Sequence, residues 1–163
     1  MDRRVTLVVL VAVVVAGGLW LRQYFAPEKV IERSFLKAVA AFEGEKLLAT
    51  MSVVDRAYRD EFGQSYESLA GHIRAFHETF DDLEVVLEPP IVQVQDDEAS
   101  LRIRFILWGT VDGQRGYALG RVGDACAATI EWRKQPQGWR ISSTGELRIP
   151  ELQSELDRAR QVR

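Results

Sequence analysis

The chain has 163 residues, enough for one domain with its own core. Hydrophobic residues make up 47% and charged residues 28%, the balance of a globular protein, and the net charge is −3. That slightly acidic balance lacks the basic footprint expected of a nucleic-acid binder, and a single cysteine, Cys126, excludes an intrachain disulfide and a multi-cysteine metal site.

Val5 to Leu21 carries no charge. As a helix it reaches ~26 Å, the short end of a membrane span. Trp20, Tyr24 and Phe25 fit an interfacial aromatic belt, and Arg22 can snorkel from the helix end. A cleaved signal peptide is the alternative, with Val14-Val15-Ala16 as a tolerable cleavage site. The apolar run continues past that site through Leu21, which favours an uncleaved signal-anchor. Basic residues on both sides leave the orientation undecided by count, but long folded domains translocate largely regardless of charge. The expectation is a single pass of the inner (cytoplasmic) membrane with the domain in the periplasm or outside the cell. The chain divides into an anchor (1–25), a folded domain (26–149) and a short terminal helix or tail (150–163).

Pro27 suits the first turn of a helix. Ile31, Phe35, Ala38, Val39 and Phe42 then form one helical stripe that Gly44 closes. A shorter helical stretch, Glu45 to Met51, points Leu47, Leu48 and Met51 inward. Asp55 to Gly63 is a polar, irregular turn. Ser65, or less favourably Ser68, caps a third helix from Tyr66 to Phe80 that buries Leu69, Ile73, Phe76 and Phe80.

Strands follow. Leu83, Val85 and Leu87 alternate, Pro89-Pro90 interrupts, and Val92 and Val94 alternate again. Ala99 to Val111 is the longest strand-like run. Leu101, Ile103, Phe105 and Leu107 share one face; Arg102, Arg104, Ile106 and Trp108 share the other. Asp112 to Gly123 holds four glycines and reads as a long loop or distorted hairpin. Strands from Ala125 to Lys134 and from Trp139 to Leu147 flank a Pro136-Gln137-Gly138 turn. Cys126, among alanines, reads as a small buried hydrophobe. Helices first and strands after is the signature of an α+β domain.

This order resembles the nuclear transport factor 2-like (NTF2-like, SnoaL-like) superfamily. The resemblance is carried by the helix ending at Gly44, by Tyr58-Arg59-Asp60-Glu61-Phe62-Gly63 leading into the helix with Leu69, Ile73 and Phe76, and by Asp82-Leu83-Glu84-Val85. The Ala99–Leu107 strand and the closing pair Ile130-Glu131-Trp132-Arg133-Lys134 and Gly138-Trp139-Arg140-Ile141 complete it. It implies a cone of N-terminal helices packed on a curved, mainly antiparallel sheet, with Leu101, Ile103, Phe105, Leu107 and Phe76 lining the pocket or core. It also implies that Ile106 and Trp108, on the outer sheet face, are covered by the Gly-rich segment or by another chain.

The superfamily includes isomerases, dehydratases and hydrolases, and also non-enzymatic binding and assembly domains. An enzyme would need an acid–base group inside the cone. His77, Tyr58 and Asp55 are the candidates, with His72, Asp81 and Tyr66 behind them. The inward series of the long strand carries no acid, which departs from the isomerase pattern. His72 and His77 are five apart and do not stack on one helical face, so no metal is expected. No Gly-rich nucleotide loop accompanies them, so no cofactor is expected. The expected role is a membrane-anchored, non-catalytic binding or assembly module. Its expected partners are the membrane through Val5–Leu21 and a second copy or a membrane-complex protein. The alternative is a small enzyme, or a carrier, acting on an apolar ligand in the cone.

Overall fold

A computed structural model describes residues 25–150. The Val5–Leu21 segment and the expected terminal helix after Pro150 lie outside the described residues. Among the described residues no helix is long and apolar enough to cross a membrane.

Helix α1 spans Pro27–Glu43. Proline stands at its start, where the fixed φ suits the first turn and the missing N–H costs nothing, and Glu28 complements the positive helix end. The Gly44 N–H bonds the Ala40 carbonyl at 3.1 Å. The left-handed step falls on Glu45 (φ 55°), whereas Gly44 stays at φ −87°. Helix α2 is a single turn, Leu47–Met51. One turn can bury one side only, here Thr50 and Met51, so Leu48 lies 86% exposed and does not point inward as expected.

Helix α3 spans Tyr66–Thr79. Both candidate caps are used. The Ser65 hydroxyl accepts the Ser68 N–H at 3.3 Å, and the Ser68 hydroxyl accepts the Ser65 N–H at 2.7 Å, a reciprocal capping box. The expected stripe is only half-buried: Leu69, Ile73, Phe76 and Phe80 all keep some exposure, and Tyr66 is the buried residue of this helix.

The strands are β1 (Asp81–Leu87), β2 (Ile91–Gln95), β3 (Glu98–Val111), β4 (Gln114–Leu119), β5 (Cys126–Gln135) and β6 (Gly138–Arg148). All pairings between them are antiparallel, in one six-stranded sheet. β3 is the spine. Leu101 lies between Val92 of β2 and Ile130 of β5, and Leu107 between Val85 of β1 and Leu119 of β4. Pro89-Pro90 splits one neighbour of β3 into β1 and β2, since proline cannot donate to a ladder.

The Gly-rich stretch is a hairpin. Asp112 (φ 51°) and Gly113 (φ 76°) both take positive φ, the pair that a two-residue turn between twisted strands requires. What reads as a long loop is therefore largely β4.

The core lies on the inward face of the sheet. Ala99, Leu101, Ile103 and Leu107 of β3 are buried, as are Cys126, Ala128, Ile130 and Trp132 of β5 and Trp139 and Ile141 of β6. Phe105 is half-buried. Helix α1 covers this face with Ile31 and Phe35, and Met51, Tyr58 and Tyr66 close the side. Ile31 and Leu101 are completely buried, each worth roughly 1.5–3 kcal/mol of transfer free energy.

Candidate functional site

The crevice between α1, α3 and β6 has a volume of about 170 Å³. Phe35, Val39 and Phe42 of α1 face Leu69 and Ile73 of α3, with Ile141 of β6 at the floor. The polar side chain in its wall is Thr50, whose hydroxyl donates to the Lys46 carbonyl at 3.1 Å. No acid or histidine lines it.

None of the acid–base candidates lines this crevice. Asp55 caps its own turn: Oδ1 accepts the Ala57 N–H at 2.9 Å, and Oδ2 accepts from the Gln135 side-chain amide. The Asp55 N–H donates to the Ile141 carbonyl at 2.9 Å, so this residue ties the loop after α2 to the last hairpin.

Tyr58 is 1% exposed. Burial pushes its phenol above the ordinary value, the Thr144 hydroxyl acts against that, and the Asp60 carboxylate adds to it. A phenol held neutral in this way is a packing group with a satisfied tip. Asp60 in turn accepts the N–H groups of Phe62 and Gln64 at 2.9 and 2.7 Å.

The His77 Nε2 lies 3.0 Å from the Phe42 carbonyl, which only accepts, so Nε2 carries the proton. The ring also packs on Phe42, centroids 5.1 Å apart. His77 thus fastens α3 to the C-terminal end of α1. His77→Ala is expected to lower stability by about 1 kcal/mol, read by urea denaturation, and His77→Gln to recover part of the loss.

His72 pairs with the Gln64 amide oxygen at 3.1 Å. Tyr66 lies under the Arg56 guanidinium at 4.2 Å, and Asp81 opens β1 opposite Thr110. Phe76, expected in the pocket, instead stacks on Phe80 at 5.6 Å. Asp55 and Tyr58 share one loop against β6, while His77 lies at the end of α1. Among the described residues no group of three His, Cys, Asp or Glu side chains is placed to hold a metal.

The outer face of the sheet is the other candidate surface. Ile106 and Trp108 are half-buried there. Val86 stands opposite Ile106, and Glu84 opposite Trp108. The Trp108 ring lies 4.0 Å from the Tyr117 ring of β4, and the Arg115 guanidinium sits 5.9 Å above it while bonded to Glu84. Trp108 is therefore covered from within its own chain by the Gly-rich segment. Val86 and Tyr117, each 46% exposed, extend an apolar patch around it. Sequence reading missed Tyr117; the Asp112-Gly113 pair between two alternating runs was the available signal.

Next to this patch lies a groove of about 280 Å³ holding Arg102, Arg104, Glu88 and Glu146. Arg104 pairs with Glu88 at 3.6 Å, while Arg102 donates to the neutral Gln93 amide oxygen at 3.3 Å and Glu146 accepts from the neutral Thr129 hydroxyl at 2.7 Å.

On β5, burial raises the Glu131 carboxyl, and the Glu98 and Glu146 charges raise it further. A raised folded-state value means the native chain holds this proton more tightly than the unfolded chain. Glu131 therefore contributes stability at acid pH that is lost as pH rises through its folded value. Glu131→Gln is expected to raise the melting temperature at pH 7, with the gain shrinking toward acid pH; a pH series of thermal melts reads this.

No family model matches the sequence, and no curated protein matches it. Solved structures do. A nuclear transport factor 2-like superfamily protein of Salmonella enterica serovar Typhimurium aligns with a TM-score of 0.63 at 15% identity, over 76% of this chain and 91% of that one. A Novosphingobium aromaticivorans protein provisionally named a scytalone dehydratase aligns at 0.61 and 13% identity, over 73% and 80%. Bdellovibrio bacteriovorus Bd1075 aligns at 0.54 and 15% identity; the match covers 72% of this chain but 38% of that one. At such identities the likeness concerns architecture: the chain has the α+β NTF2-like fold, a curved antiparallel sheet with a few helices on one face, a fold shared by enzymes and by proteins of unknown function.

Proposed function

We propose that this chain is a membrane-anchored, extracytoplasmic NTF2-like domain acting as a non-catalytic binding or assembly module. The observation that carries the reading is the interior of the cone. Its crevice is walled mainly by apolar side chains, and His77, Tyr58 and Asp55 are not among the residues lining it; they are hydrogen-bonded to Phe42, Thr144 and Gln135. A general acid or base must reach its substrate, and none here reaches the crevice. The outer patch of Val86, Ile106, Trp108 and Tyr117 supplies the binding surface. Val5–Leu21 supplies the anchor, with the domain on the far side of the cytoplasmic membrane.

Protease added to intact spheroplasts is expected to digest the domain; protection until lysis would reverse the orientation. For the module itself, a photo-cross-linker at position 106 of the full chain in its native membrane is expected to give a discrete protein adduct. Trp108→Ala should abolish that adduct with unchanged far-UV circular dichroism. No adduct, together with small-molecule turnover that His77→Ala and Tyr58→Phe abolish, would overturn the reading.

The crevice favours a second reading, carriage of a small apolar molecule. About 170 Å³ with a mainly apolar wall suits a compact hydrocarbon moiety. Calorimetric titration with benzene or a short isoprenoid, compared between wild type and a crevice-filling Ala38→Leu variant, decides it.

A further inference from the structure

The groove of about 280 Å³ runs across the strands of the outer sheet face. It begins at Glu146 of β6, passes over Thr129 of β5 and Arg102 and Arg104 of β3, and ends at Glu88 and Ile91, where β1 gives way to β2. Three strand spacings make this path roughly 14 Å. Its far end is apolar as well as charged, for Ile91 is 57% exposed. The charges alternate along the path: acid at Glu146, base on β3, acid at Glu88. The Arg102 bond to the neutral Gln93 amide leaves the guanidinium charge unmatched by that contact. The chain leaves the sheet at the β6 end of this path. Arg148 stands opposite Ala127, a groove residue, and Pro150 is buried two residues later. Thirteen residues, 151–163, continue from there. Leu152, Leu156 and Ala159 recur at helical spacing, behind a proline suited to a helix start. Glu155 and Arg160 flank that stripe, one on each side.

We infer that residues 151–163 lie across this groove as a helix, with the Leu152, Leu156 and Ala159 stripe against the sheet. Length and charge order both fit. At 1.5 Å per residue, Glu155 stands about 8 Å beyond Pro150, and two strand spacings from β6 to Arg102 on β3 are about 10 Å. Arg160 stands about 15 Å beyond Pro150, and Glu88 lies about 14 Å across the strands. The acid of the segment thus meets the base in the middle of the groove, and its base meets the acid at the far end. Leu156 and Ala159 between them come down on the Ile91 end. Ile106 and Trp108 are not groove residues, so the inference stands apart from the assembly reading and its adduct at position 106.

Hydrogen exchange of the full chain in detergent or nanodiscs tests this. Amides of 151–163 are expected to exchange at least about tenfold more slowly than in the free 151–163 peptide, since a lone helix of this length is marginal in water. Arg102→Glu should remove most of that protection, and Arg102→Glu combined with Glu155→Arg should restore it. Ile91→Cys reads the groove itself. Its labelling by maleimide should speed at least about fivefold once residues 151–163 are removed. Cys126 is fully buried, so its continued protection reports that the domain stays folded. Unprotected amides, charge effects that simply add, or an Ile91→Cys rate unchanged by the truncation overturn the inference. If the truncation exposes Cys126, the charge swap in the full chain decides. Protection that fades on dilution would place the segment on a second copy, and overturns the inference equally.

Discussion

Trp132→Ala is expected to cost about 3–5 kcal/mol, the range for deleting a large aromatic side chain from a packed core. Trp132 is 1% exposed and stands on β5 opposite Ala99, among Ile130, Trp139 and Ile141. Ala99 opposite it is too small to fill the space the indole leaves. Equilibrium urea unfolding reads the loss as a fall in midpoint at constant slope. Trp132→Phe separates the two halves of the residue. The indole Nε1 is buried and finds no hydrogen-bond partner among the described residues. Phenylalanine keeps most of the ring and removes that unsatisfied donor, a liability of about 1–3 kcal/mol. The phenylalanine variant is therefore expected within about 1.5 kcal/mol of wild type. If both variants lose equally, the indole N–H is bonded in solution and the packing account of this residue fails.

The second large effect is expected at Gly109, near the C-terminal end of β3. A Cβ there would lie 2.9 Å from the Phe80 Cδ1 and 3.0 Å from the Phe80 Cβ. Turning the Phe80 ring cannot relieve the overlap, because its Cβ is fixed by the backbone. Alanine in a strand normally gains about 0.5–1 kcal/mol over glycine. Here the overlap should outweigh that gain and destabilise by about 1–3 kcal/mol. The check is a double-mutant cycle with Phe80→Ala: if the clash is the cause, the pair costs less than the sum of the singles. Additive losses would point to the backbone of β3 instead.

Legibility in the sequence followed the range of the interaction concerned. Helix α1 was legible because its stripe, its proline start and its end are written within seventeen residues. The alternation of β3 was legible over fourteen residues for the same reason. The Ser65 cap was legible from one hydroxyl at the right offset, although the reciprocal role of Ser68 was not. Where elements meet, the pattern fell short. Leu69, Ile73, Phe76 and Phe80 have helical spacing, yet α3 leaves them half-buried, because spacing fixes a shared face and not how closely that face is covered. Leu48 fails likewise: three apolar residues in one turn cannot all face one side.

The candidate site divides along the same line. That β3 carries no inward acid can be read from residue types and a period of two. That Asp55, Tyr58 and His77 are bonded to other residues and do not line the crevice cannot be so read. Their commitments run to Gln135, Thr144 and Phe42, residues 80, 86 and 35 positions away. Sequence alone determined the α+β class, the apolar segment at the N-terminus, the two faces of β3 and the absence of a local metal or nucleotide motif, because local periodicity and residue chemistry suffice for each. Only the tertiary structure decided that the crevice is mainly apolar, that Trp108 lies against Tyr117 under Arg115, and that β4, among the described residues, pairs with β3 alone. Each of those depends on which strands lie side by side, and strand order is settled by burying one common face, not by any single segment.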